Sequence, residues 1–132
     1  MEKYMNLKDK AIDIKGKKYV LVSDRVLAFN EMYPKGSIKT KLVKWEGDVI
    51  IVKATVIPEE GRTFNGYAQE TVGEGYINKT SALENAETSA VGRALAMMGI
   101  GVIDSIASVD EITKAKNREK DLPGINTGED RL

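Results

Sequence analysis

Four lysines and two arginines carry most of the chemistry this sequence offers. In "SIKTKLVKW", Lys39 and Lys41 stand two apart, the spacing that places side chains on one face of a strand, and Trp45 continues the same parity. Lys53 lies within the next apolar run and is expected on the neighbouring strand. Cations beside aromatic rings suit single-stranded nucleic acid, because the cations meet phosphates and the ring faces meet bases. Arg93 sits in a row of small residues, seven after Ala86 and four before Met97. An arginine there either pairs with a carboxylate or reaches into a groove. Arg25 falls at the start of an expected helix, where the helix dipole disfavours a cation, which hints at another partner. Lys79 stands just before the expected start of a long helix and is a secondary candidate.

Other chemistries find little support. The chain has no histidine and no cysteine, so the commonest general base and the thiolate ligands are missing. Glu84 and Glu87 are spaced i,i+3, but a capping role accounts for the first and a surface position for the second. Serine and threonine lack a credible activating base. The reading is a binding protein and not an enzyme, with no metal and no cofactor. Net charge is zero but unevenly spread: residues 1–55 hold 12 Lys/Arg against 7 Asp/Glu, and residues 56–90 hold 2 against 6. The basic first half is suited to a polyanion. No apolar run approaches the roughly 18 residues of a membrane span, and the opening residues lack the apolar core of a signal peptide. Both features, with the absent cysteine, point to a cytoplasmic setting and no membrane partner.

The elements that must position these residues follow from periodicity and turn chemistry. The 132 residues suffice for one domain, placed at 1–120, with a flexible tail at 121–132. A short strand is expected at Ile12–Ile14, a turn at Gly16, and a second strand at Tyr19–Val22. Ser23 reads as an N-cap for a helix over Asp24–Tyr33 that buries Val26, Leu27, Phe29 and Met32 and ends at Pro34 and Gly36. Three strands follow, at Ser37–Trp45, Val49–Ile57 and Thr63–Thr71. The second is apolar almost throughout and so is expected to be central. Gly66 within the third predicts a bend or a close backbone approach. Ser81 and Glu84 have capping-box spacing, which predicts a long helix over Ala82–Met98 with Gly99 and Gly101 as its stop. Its stripe is Leu83, Ala86, Ala90, Ala94 and Met97 or Met98. A second capping box, Ser108 to Glu111, predicts a short helix to Lys116. The fold class is α+β: helix, three-stranded antiparallel meander, then a long helix packed on the sheet.

The segment "NKTSALENAETSAVGRALAMMGIG" resembles a signature of small single-stranded DNA binding proteins of tailed phages. More remotely, residues 19–103 resemble the core of the Rad-type single-strand annealing proteins, with their Sak-like and Erf-like phage relatives. "DRVLAFNEMYPKGSI" is similar to that family's first helix and aligns Arg25 with its DNA-binding arginine. "FNGYAQE" is similar to its third strand, and "LENAETSAVGRALAMMG" to its long helix, which aligns Arg93 with a second such arginine. The chain departs from the pattern at Gly92 and Ala96, where the family has basic residues. The resemblance implies ATP-independent annealing in phage recombination or replication, in the host bacterial cytoplasm. It implies single-stranded DNA as ligand, a homo-oligomeric ring, and phage replication or recombination proteins as further partners. The expected DNA contacts are then Arg25, Lys39, Lys41, Lys53, Lys79 and Arg93. The alternatives are a non-annealing single-strand binder with an OB-like barrel, and a small phage protein that binds a host or defence protein. The element order argues against the barrel, which needs further strands after its helix.

Overall fold

Lys15 and Gly16 both adopt positive φ, 52° and 84°, so the chain reverses in a two-residue turn that matches strand twist. The turn joins β1 (Ile12–Ile14) to β2 (Lys17–Tyr19) in an antiparallel hairpin, pinned by a 2.9 Å bond from the Gly16 N–H to Asp13. The computed structural model describes residues 7–73 and 78–103, with the side chains of 78–80 excepted. After a 3-10 turn at Leu7–Lys10 and this hairpin come α1 (Val22–Met32), β3 (Ser37–Glu46), β4 (Val49–Glu59), β5 (Arg62–Thr71) and α2 (Asn78–Met97). The sheet order is β3-β4-β5, antiparallel throughout, and α2 packs across β4 and β5. The architecture is the α+β arrangement expected from the sequence, with β4 central. The expected short helix at 108–116 and the boundary at 121 lie outside the described residues.

Two helix starts differ from the capping signals. α1 begins at Val22, not at Asp24, and extended Leu21 stands at its N-cap with no side-chain hydrogen bond, so Ser23 is not the cap. Tertiary packing explains the added residues: a β-carbon built on Gly92 of α2 would meet Val22 Cγ2 at 2.6 Å, so Val22 fills the notch that glycine leaves. α2 begins at Asn78, three residues before Ser81, which therefore lies inside the first turns and does not cap them. Its end is as expected. Gly99 has φ 99°, the Ile100 N–H reaches the Leu95 carbonyl at 3.0 Å, and the Gly99 N–H reaches Ala96 at 2.8 Å. That pair of bonds closes the last turn as a Schellman motif, and buried Ile100 supplies its apolar contact.

The core lies between α2 and one face of the sheet. Burial along β4 alternates strictly, with Ile50, Val52, Ala54 and Val56 buried and Val49, Ile51, Lys53, Thr55 and Ile57 only partly so. Thus the near-continuous apolar run of β4 reflects a central position and not a sheet covered on both faces. From α2 come Ala82, Ala86, Ala90, Val91, Ala94 and Leu95; Leu83 turns outward, against the expected stripe, and of the two methionines Met98 packs on the core while Met97 is exposed. The small side chains let the helix approach the sheet closely. A β-carbon on Gly66 of β5 would lie 2.5 Å from the Ala90 carbonyl oxygen and 2.9 Å from Arg93 Cβ, so only glycine fits there. The close approach expected at Gly66 is therefore present, and α2 is the backbone that makes it. In α1, Ala28 and Phe29 are buried, whereas Leu27 is 56% exposed despite its expected core position.

Candidate nucleic-acid interface

β3 does not hold the simple alternation of its sequence. Leu42 pairs with Val52, Lys44 pairs with Ile51, and Val43 is an extra residue between them. This bulge resets the parity of the strand. Lys39, Lys41 and Lys44 face away from the helices, together with Thr55, Lys53 and Ile51 opposite them. Trp45 now pairs with buried Ile50 and belongs to the helix side, although its ring is 55% exposed at the end of the sheet. The expected run of Lys39, Lys41 and Trp45 along one face is therefore broken at Val43, and Lys44 takes the place assigned to the tryptophan.

β5 completes the open face. Lys53 pairs with Tyr67, Thr55 with Asn65, and Ile51 with Gln69. Lys41, Lys53 and Tyr67 thus form one cross-strand row. The Lys53 ammonium stands 5.7 Å from the centre of the Tyr67 ring, within cation–π range, and that tyrosine is 53% exposed. Thr55 Oγ1 donates to Asn65 Oδ1 at 2.9 Å. Lys41 and Lys53 are direct cross-strand neighbours of like charge, a pairing that destabilises a sheet unless something anionic relieves it. Among the described residues, no carboxylate forms an ion pair with Lys39, Lys41 or Lys53. Only Lys44 has such a pair on this face, with Glu46 at 3.4 Å.

The helix side shows no such row of cations: α1 and α2 carry Asp24, Glu31, Glu84 and Glu87 against Arg25, Lys79 and half-buried Arg93, which leaves them close to neutral. Thr40 Oγ1 donates to Glu87 Oε2 at 2.6 Å and ties β3 to α2. The cations of the sheet are thus gathered on its open face, the side whose local charge suits a polyanion.

Arg93 and Arg25 do not join the lysines. Arg93 rises from α2 with its Cβ beside Gly66, so the sheet stands between it and the lysine face. Arg25 is 2% exposed, and its Nε donates to the Val20 carbonyl at 3.1 Å. Its Nη1 has no hydrogen-bond partner among the described residues, and burial pushes the guanidinium pKa below its ordinary value. A β-carbon on Gly101 would come within 3.2 Å of Arg25 Cγ, so the turn after α2 closes over the side chain. Arg25 thus occupies an interior position, and the unfavourable dipole of a helix start is not a sign of a surface ligand. The α2 backbone places Lys79 in that helix's first turn, and its side chain lies outside the described residues. Sequence reasoning missed Lys44 and Tyr67. The alternation of β5 contained the signal for Tyr67, whereas nothing in "KLVKW" marks the bulge that brings Lys44 over.

Residues 26–98, from within α1 to just past the end of α2, match the family described as Slr1353 N-terminal dsRNA-binding domain-like. The chain belongs to this family. The match spans more than half of the sequence and takes in the unit helix–strand–strand–strand–helix. No curated protein and no solved structure matches the chain. The family match overturns the resemblance to phage single-strand annealing proteins. Most of the segment that carried that resemblance falls within the match. Its small residues, Ala90, Gly92 and Ala94, are explained by the approach of α2 to Gly66 and Val22. That is a packing requirement of the fold and not a mark of annealing. Among the described residues, no helix is long and apolar enough to cross a membrane, and no group of three or more acidic side chains is placed to hold a metal ion.

Proposed function

We propose that this protein is a non-enzymatic nucleic-acid-binding module that holds the sugar–phosphate backbone on the open face of its three-stranded sheet. The observation that carries this reading is the Lys41–Lys53 cross-strand pair, flanked by Lys39 and Lys44, on the sheet face opposite the helices. Bound phosphates would relieve the repulsion within that pair. The family's likeness to a dsRNA-binding domain makes double-stranded RNA the first ligand to test. Single-stranded DNA is the second, because lysine–phosphate contacts serve either kind of strand. Recognition through phosphates is insensitive to sequence.

The test is a salt titration of binding to labelled duplex RNA and to a labelled single strand, using the full chain and Lys41→Gln/Lys53→Gln. Loss of two phosphate contacts flattens the log–log salt slope by roughly 1.4 on a single strand, with a somewhat larger change on a duplex. An unchanged slope on both ligands would move the binding surface elsewhere.

A further inference from the structure

The open face is divided by chemistry along the direction that crosses the strands. β3 and β4 carry the cations, Lys39, Lys41, Lys44 and Lys53, whereas β5 carries Asn65, Tyr67 and Gln69 and no cation on this face. Same-face residues on one strand are roughly 6.7 Å apart, close to the spacing of successive phosphates along an extended strand. The β3 lysines and the β5 row are two strand spacings apart, roughly 10 Å, which is the reach from a phosphate across its sugar to the base. The outer row offers one half-exposed aromatic ring between two amides. Rings stack on bases, and amides can hydrogen-bond to base edges.

We infer that Tyr67 is a base-stacking residue and that the ligand lies along the strands as unpaired nucleotides, with phosphates over β3 and β4 and bases over β5. The inference rests on the proposed function and adds the strand state of the ligand to it. A fully paired duplex turns its bases inward and leaves Tyr67 without a base face, so only the lysines act on it. In a single strand both rows act. Tyr67 then sets preference between strand states, and the lysines set affinity for both.

The experiment compares the full chain with Tyr67→Thr, Tyr67→Phe and Lys41→Gln on two probes, a labelled oligouridine and a blunt duplex RNA of the same length. Tyr67→Thr is expected to weaken oligouridine binding by roughly 5- to 150-fold, the range for loss of one stacked base, and to leave the duplex unchanged. Tyr67→Phe retains the ring and is expected to bind like the parent chain. In addition, an oligonucleotide bearing 5-iodouracil is expected to crosslink to Tyr67 on irradiation, as mapped by mass spectrometry of the unaltered chain. That measurement stands even where Tyr67→Thr folds poorly. Equal affinity of Tyr67→Thr and the parent for oligouridine, or equal losses on both probes, or crosslinks confined to other residues, would overturn the inference. The proposed function fails separately, if Lys41→Gln binds both probes as tightly as the parent at every salt concentration.

Discussion

The two faces of one sheet obey different rules. On the helix face, Ile50, Val52, Ala54 and Val56 meet a row of alanines, and the spacing is so close that β5 needs glycine at 66. On the open face, two lysines oppose one another directly, and a tyrosine stands half in solvent. The first face minimises volume and has no room for error. The second tolerates a like-charge contact that folding alone would not select. On the proposed function, stability and binding lie on opposite sides of the same three strands, and substitutions should separate them.

The largest effect is expected on the packed face. Gly66→Val places branched atoms where the α2 backbone already lies, and backbone cannot swing aside as a long side chain can. Overpacking of this kind should destabilise the fold by roughly 3 kcal/mol. Chemical denaturation measures it directly. A valine variant that unfolds at the parent's denaturant midpoint would mean that α2 does not lie against β5.

A smaller loss is expected at Arg25. Arg25→Ala removes a buried stem and the bond to the Val20 carbonyl, but it also removes a desolvated charge. The balance of lost packing and relieved burial should leave a net destabilisation of roughly 2 kcal/mol. Arg25→Met, which keeps the stem, should lie closer to the parent. Neither variant should change the salt slope of nucleic-acid binding. A flattened slope at unchanged stability would place the guanidinium on the ligand after all.

These two positions show how far the sequence could be read. Strands were legible because β4 is a near-continuous apolar run and β5 alternates, and the α2 stop was legible because Gly99 and Gly101 can adopt positive φ cheaply. Gly66 was legible as a close approach because an isolated glycine in a strand has few other uses. Helix starts were less so. Ser23 and Ser81 have the right chemistry for caps, but Val22 is drawn into the helix by a notch on another helix, distant in sequence. The burial of Arg25 was hidden for the same reason. The turn at Gly101, far along the chain, closes over its side chain and Val20, and no local pattern reveals that contact. The lysine face was half legible: Lys39, Lys41 and Lys53 share it as parity implied, but parity fails beyond Val43.

On the open face the expected effect on stability is slight and has the opposite sign. Lys41→Gln removes half of a like-charge pair, so the variant should melt at or just above the parent's temperature at low salt. Added salt should close the gap, because it screens the repulsion in the parent. In binding, the same variant should flatten the salt slope by roughly 0.7 on a single strand. A gain in stability together with a loss in binding is the signature of a residue kept for its ligand. A loss in both would make Lys41 a packing residue and dissolve the contrast between the faces.

The smallest effect concerns Trp45 and rests on the bulge alone. Without an extra residue at Val43, the indole would share a face with Lys39 and Lys41, and bound bases would quench its emission. With the bulge, Trp45 lies across from Ile50 on the helix side. It is the only tryptophan in the chain, so its emission reports on one place. Saturating oligouridine should therefore leave the emission maximum and intensity nearly unchanged, and Trp45→Phe should bind with the parent's affinity. Meanwhile binding itself is followed by the anisotropy of the labelled strand, so a silent tryptophan cannot be mistaken for an absent complex. Strong quenching, coupled to a loss of affinity in Trp45→Phe, would show that the indole meets the ligand. The bulge at Val43 would then be misplaced, and the ladder of Lys39, Lys41 and Lys44 would have to be redrawn with Trp45 in place of Lys44.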